Sequence, residues 1–341
     1  MLALENQREP AYRYRFLFPL AKIQDSLGRY DEAFATAAEA HRSQLVFLES
    51  VMGKSSEAES RILSRAAHGC DPDDVSTWSA TGTGPSTEDS PIFIVGFPRS
   101  GTTLLEQVLD AHPLLQSMDE QPFLVNALRE VTDRGIRNPY ELGKLTASDL
   151  DAIRAGYWNR VRKKVRLFPG QRLVDKNPLN IVLLPLMRRL FPQAPVVLAI
   201  RHPCDVLLSC YLQDFRAPEL ALLCRDLPTL ANAYVRSFGF WYSQSALLRP
   251  LSYELFYEQF AADFAPQARK LAEFLQLPWH DAMLAPEEHA RAKGFISTPS
   301  YTQVLEPVNN RSVGRWKRYE THFAPVLPML KPWIERWAYP L

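Results

Sequence analysis

The stretch PIFIVGFPRSGTTLLEQVL, residues 91–109, joins a short apolar run to an amphipathic one through a polar loop. Pro91 to Phe97 is rich in β-branched and aromatic residues and is stopped by Pro98, which predicts a buried strand. Leu104, Leu105, Val108 and Leu109 then recur at helical spacing. Between the two lie Arg99, Ser100, Gly101, Thr102 and Thr103, so backbone N–H groups, hydroxyls and a guanidinium gather at a helix N-terminus, where the dipole favours an anion. Gly96 and Gly101 keep the spacing of a Walker A loop, but Thr102 stands where that motif needs lysine, and no GxGxxG follows the strand. An ordinary ATPase loop and a dinucleotide-binding fold are both disfavoured.

Further apolar runs occur at 172–174 before Asp175, at 195–200 before Arg201, and more weakly at 251–256. Helical stretches such as 181–191 and 204–214 separate them, which predicts an α/β fold: a parallel, P-loop-like sheet flanked by helices. In such sheets ligands sit beyond the carboxyl ends of the strands, where the polar residues after each run fall. From Tyr12 to about Val51 two amphipathic helices break at Leu27-Gly28-Arg29, with Phe16, Leu20 and Ile23 on one face and Ala33, Phe34, Ala37, Ala38 and Ala40 on the next. The string LGRYDEAFATAAEA there resembles a single tetratricopeptide repeat; an array needs about three or more, so one copy must pack on the main domain or be a remnant. Residues 70–90 are dense in Asp, Ser, Thr, Gly and Pro and predict a linker or exposed loop. The expected division is a helical segment 1–69, a linker 70–90 and a main domain 91–341.

The 341 residues, 46% hydrophobic and 23% charged, suffice for a substantial core, and a formal net charge of +1 gives no general drive toward nucleic acid or anionic membrane. Cys70, Cys204, Cys210 and Cys224 form no CxxC pair and sit beside no His cluster, so no metal site is expected. His202 has no second histidine near it in sequence. Scattered thiols, an N-terminus without a signal pattern and no apolar run of membrane length lead to the expectation of a cytoplasmic protein. Oligomeric state is left open.

A second anion signal is VVLAIRHPCDVLLSCYLQDF, residues 196–215, where Arg201 ends a strand and Ser209 follows inside a helix begun by Pro203. On residues alone, Arg201 could instead pair with Asp205 while Ser209 faces solvent. PRSGTT and this string together resemble the sulfotransferases that use 3′-phosphoadenosine 5′-phosphosulfate (PAPS), in particular the protein-tyrosine sulfotransferases and bacterial sulfotransferases with tetratricopeptide repeats. The resemblance covers roughly residues 91–318 through scattered motifs. It implies PAPS as co-substrate, 3′,5′-adenosine bisphosphate as product, no metal, and a 5′-phosphosulfate site built from Arg99, Ser100, Gly101, Thr102 and Thr103, with Arg201 and Ser209 at the 3′-phosphate.

The same resemblance assigns Glu120, in SMDEQPF, as the base, with its neighbour Asp119 the competing carboxylate. A phenol titrates near pH 10 and a free carboxylate near 4.3, so this role leads to the expectation that Glu120 is buried and its pKa raised. Lys176, in VDKNPLN, matches the lysine that neutralises transition-state charge; a surface turn of Asp175 and Lys176 is the plain alternative. Ser300 matches a serine donating to the leaving oxygen, Gln303 to Asn309 a cofactor-covering segment, Arg315 a phosphate-contacting lysine, and Tyr257 an aromatic near the nucleotide, though by itself it reads as a core tyrosine. Two departures from the family pattern occur: Gln213 stands where the tyrosine sulfotransferases have an arginine aiding the 3′-phosphate, and Gln121-Pro122 follows Glu120 in place of the polar and basic set that grips an acidic peptide. VRKKVR, 161–166, reads as a solvated helix face. The expected reaction is sulfuryl transfer to a tyrosine or other hydroxyl of a peptide or protein, with a carbohydrate or small-molecule hydroxyl as alternative. A P-loop kinase is opposed by the missing lysine, and a helical-repeat adaptor by the anion sites.

Overall fold

The computed structural model describes residues 12–52, 69–78, 84–137, 139, 141–293 and 305–341. Five strands form one sheet: β1 (Ile92–Gly96), β2 (Leu115–Ser117), β3 (Arg172–Lys176), β4 (Val196–Ile200) and β5 (Ser252–Phe256), in the order β2-β3-β1-β4-β5. Every pairing is parallel, with Phe93 opposite Asp175, Ile94 opposite Lys176, Gly96 opposite Ala199 and Ile200 opposite Phe256. The three expected strands and the one in the opening stretch are all present. The short β2 has no counterpart in the sequence reading, because three residues are too few to show a period.

β1 is buried along its whole length, as a central strand covered on both faces must be. Its alternate residues serve two cores. Ile92 and Ile94 join Leu105, Val108 and Leu109 of the helix Thr102–Asp110 and Leu271 of the helix Phe264–Phe274. Phe93 points the other way, to Phe191 (ring centroids 6.0 Å), which packs edge-on against Tyr157 of the helix Ala147–Arg162. That helix opens on a capping box between Thr146 and Asp149. Val161 at its end is buried while Arg162, Lys163, Lys164 and Arg166 are exposed, the solvated face expected of VRKKVR.

Residues grouped by compactness fall into two units, one within 65–201 and 237–310 and the other within 1–64, 202–236 and 311–341. The first holds the whole sheet. In it the stretch expected as a linker carries a short helix, Pro72–Ser76, and Asp74 accepts the Gly143 backbone N–H at 2.9 Å. The second holds a hairpin of the helices Tyr14–Ser26 and Tyr30–Met52. Its first helix buries Tyr14, Leu17, Phe18 and Ala21; Ile23, expected inside, is 49% exposed. The apolar stripe is thus turned from the expected one. Its second helix buries Ala33, Ala37 and Ala40, the small residues that let two helices approach closely.

Candidate active site

Parallel pairing brings the carboxyl ends of all five strands to one edge of the sheet. The chain leaves β1 toward β2 on one side and β4 toward β5 on the other, so the loops after β1 and β4 diverge and open a crevice. The loop after β1 is tightly specified. Arg99 adopts φ +71°, Gly101 adopts φ +92°, and Gly101 is the N-cap of the helix Thr102–Asp110. A left-handed arginine is strained and persists where its surroundings hold it. Here Arg201, the residue after β4, donates from Nη1 to the Arg99 carbonyl at 3.0 Å. Tyr257, the residue after β5, lies under the Arg201 guanidinium, 4.8 Å from charge to ring centroid. Its ring also closes on Gly101, where a Cβ would fall 2.6 Å from Tyr257 Cδ2. Only glycine fits. Ser100 is buried with no hydrogen-bond partner for its Oγ among the described residues, and Thr102 and Thr103 are buried too.

Lys176, the last residue of β3, is enclosed rather than exposed in a turn, with its side chain wholly withdrawn from solvent. Nζ donates to Glu120 Oε1 at 2.8 Å and lies 3.2 Å from Glu106 Oε2. Burial would lower the lysine pKa, but the Glu106 and Glu120 carboxylates outweigh it and raise it from 10.5. Glu106 is fully buried; Glu120 is 37% exposed, so the burial expected of a raised-pKa base is not found. Glu120 lies three residues beyond the end of β2, in an irregular segment at the rim. Beside Lys176, Asp175 turns to the other face and accepts the Tyr157 hydroxyl at 2.6 Å; burial first, then Glu106, push its pKa up to about 7 despite that bond.

Glu106 is not legible in the sequence because it lies among the apolar positions of a helix, nor is Tyr157, because nothing in the sequence links it to Asp175. The structure thus brings Arg99, Ser100, Gly101, Thr102, Thr103, Glu120, Lys176, Arg201 and Tyr257 to one sheet edge. Ser300 and Gln303 lie outside the described residues. Ser209 and Arg315 belong to the other compact unit. Ser209 is half-buried in the helix Pro203–Tyr211. Arg315 donates to Asp25 Oδ2 at 2.6 Å, and Asp25 Oδ1 accepts the Tyr319 hydroxyl. In that unit Asp205 accepts the backbone N–H groups of Gly314 (2.6 Å) and Trp316 (2.9 Å), and His202 caps its helix by accepting from the Cys204 N–H. Among the described residues no group of three or more His, Cys, Asp or Glu is placed to hold a metal ion, and no helix is long and apolar enough to cross a membrane.

The sequence model described as the sulfotransferase family matches residues 91–281, which is more than half of the chain. The chain belongs to the sulfotransferase family. The matched span takes in the phosphate-type loop, Glu106, Glu120, Lys176, Arg201, Ser209 and Tyr257, and leaves Arg315 and Ser300 beyond it. An uncharacterised protein of Aquifex aeolicus is 32% identical over 252 residues, which are 71% of this chain and 32% of that protein. Protein-tyrosine sulfotransferase 1 of Danio rerio is 29% identical over 234 residues, 66% of this chain and 65% of that one. The chain therefore spans about a third and just under two thirds of these relatives. The sulfotransferase domain from the curacin biosynthetic pathway shares the fold, with a TM-score of 0.50 at 19% identity over 76% of this chain and all of that one.

Proposed function

We propose that this sulfotransferase-family chain moves a sulfuryl group from PAPS to an acceptor hydroxyl, and that a tyrosine or other hydroxyl of a peptide or protein is the acceptor. The observation that carries the reading is the Lys176–Glu120 pair at the end of β3, on the sheet edge that also carries the anion loop. The residues fit the donor: a buried Ser100 hydroxyl lacking a partner, a helix N-terminus and the Arg99 and Arg201 guanidinium groups are the donor set that phosphate and sulfate oxygens need. PAPS supplies the sulfuryl group and a bisphosphate leaving group.

In this reading Glu120 takes the acceptor proton as the acceptor oxygen bonds to sulfur and the sulfur–phosphate oxygen bond breaks. Its exposure at the rim lets a bulky acceptor reach it. Lys176 and Arg99 offset the negative charge that builds on the transferring group and on the leaving oxygen, and the low-dielectric setting of Lys176 makes its charge count for more than it would in water. Tyr257 and Arg201 hold the loop in its strained form. For Ser209, Ser300 and Arg315 the contact to the donor rests on the resemblance alone. A tyrosine acceptor is supported by the names of the similar proteins.

Calorimetric titration with 3′,5′-adenosine bisphosphate, against ATP and 5′-AMP, tests the donor class. Binding that needs the 3′-phosphate and is lost in Arg201→Ala is expected; tighter binding of ATP refutes the reading. With labelled PAPS and a panel of tyrosine peptides, oligosaccharides and phenols, Glu120→Ala is expected to lower turnover by about 10²–10⁴ while bisphosphate affinity stays within a few fold. Turnover retained in that variant removes Glu120 as base, and transfer confined to the sugars or phenols makes the acceptor one of those.

A further inference from the structure

Glu106 lies in the middle of the helix Thr102–Asp110, a helix whose other inward residues are apolar or uncharged apart from Asp110 at its end. A carboxylate in such a place is costly unless charge or hydrogen bonds offset the lost water. The offset here is the Lys176 ammonium, with both side chains fully withdrawn from solvent. The same ammonium also meets Glu120, which solvent reaches. Lys176 is thus suspended between an inner carboxylate fixed on a buried helix and an outer one on the segment after β2. An ammonium has three N–H groups, so two acceptors leave a third direction for another anion.

We propose that Glu106 is a positioning residue for sulfuryl transfer: from the buried side it anchors the Lys176 ammonium, so that Lys176 can turn from Glu120 to the transferring group and leave Glu120 to take the acceptor proton. The catalytic meaning of this anchor rests on the PAPS-dependent reading above. Without Glu106, a Lys176 that let go of Glu120 would be a buried cation with no counter-charge. The other groups near Lys176 do not replace the anchor. Asp175 on β3 is turned to Tyr157, and Ile94 of β1, in register with Lys176, is apolar. Burial pushes the Asp175 pKa up to about 7, well below the ordinary range of a lysine, so Asp175 is ionised in wild type and variant alike where Lys176 loses its proton.

The test uses the full chain with 13C-labelled lysine, following the Lys176 Cε signal from neutral pH upward, the signal being assigned by its absence in Lys176→Arg. In Glu106→Gln, which keeps the shape and removes the charge, Lys176 is expected to lose its proton at a lower pH than in wild type. In the same variant kcat is expected to fall about tenfold or more with KM for PAPS within about threefold, and the alkaline limb of kcat to move down with the lysine midpoint. A merely structural ion pair would move that midpoint too but leave kcat at the wild-type value; an unchanged midpoint, or an unchanged kcat, overturns the proposal. If Glu106→Gln does not fold, Glu106→Asp serves, since it keeps the charge one methylene short. Lower kcat at a wild-type lysine midpoint then supports the anchor, and wild-type kcat overturns it. A wild-type chain that transfers nothing from PAPS, while Glu106→Gln still moves the midpoint, refutes the sulfotransferase reading and with it the catalytic role, leaving the ion pair as structure.

Discussion

At the scale of one residue, Gly101 carries two demands at once. Its backbone is left-handed, and the Tyr257 ring occupies the space of any side chain. Gly101→Ala should therefore cost about 1–3 kcal/mol through backbone strain and displace either the loop or the ring. Calorimetry should show bisphosphate binding weakened at least tenfold, and wild-type affinity would mean that the loop is not the anion site. Lys176 shows the converse. A lysine beside an aspartate in VDKNP reads equally as a solvated turn, and only its enclosure between Glu106 and Glu120 makes it a buried cation.

At the scale of elements, the strand ends do the assembling. β1 supplies the loop, β3 Lys176, β4 Arg201 and β5 Tyr257, each by the residues that immediately follow or end the strand. In the unit without the sheet, the segment Gly314–Trp316 is held by a single side chain: two backbone N–H groups, one fully buried, donate to Asp205. Asp205→Ala leaves both donors without an acceptor and should destabilise that unit by about 2–4 kcal/mol. Urea unfolding followed by far-UV circular dichroism reads the loss; a change under about 0.5 kcal/mol would mean that water substitutes for the carboxylate.

At the scale of the whole molecule, two buried groups give the pH dependence of stability opposite signs. In the hairpin unit His41 faces the Tyr211 carbonyl through Nε2 at 2.8 Å, and burial pulls its pKa from 6.5 to about 4. The folded chain binds that proton less readily than the unfolded one, so this stabilisation is complete above pH 6.5 and is lost as pH falls toward 4. Asp175 is raised from 3.8 to about 7, so its contribution is complete below pH 3.8 and is lost as pH rises toward 7. At about 1.4 kcal/mol per unit, each is worth up to about 3–5 kcal/mol over its range. Urea titrations between pH 4 and 7 should show Asp175→Asn losing stability toward acid more steeply than wild type, and His41→Gln less steeply. Parallel curves for all three would refute both assignments.

The α/β class, four of the five strands, the strand–loop–helix of residues 91–109 and its lysine-less departure from a Walker motif are legible in the sequence, because strand period, a proline stop and a glycine at a helix start are local properties. Arg201 stands out as the residue directly after an apolar run, whereas Lys176 and Tyr257 are marked only by the family resemblance and by themselves read as a surface turn and a core tyrosine. Tertiary structure alone decided which acid faces Lys176 from the inside, that Glu120 lies at the rim rather than buried, that Asp175 turns to Tyr157 instead of its neighbour, and which face of the first helix is hidden. The outcomes around Lys176 and Asp175 depend on pairings across β1, β2, β3 and the helices packed on them, and the face of the first helix on Tyr14, Leu17 and Phe18 packing against Ala40 of its hairpin partner; these are residues far apart in the chain, and a buried charge is legible only when the group that neutralises it is in view.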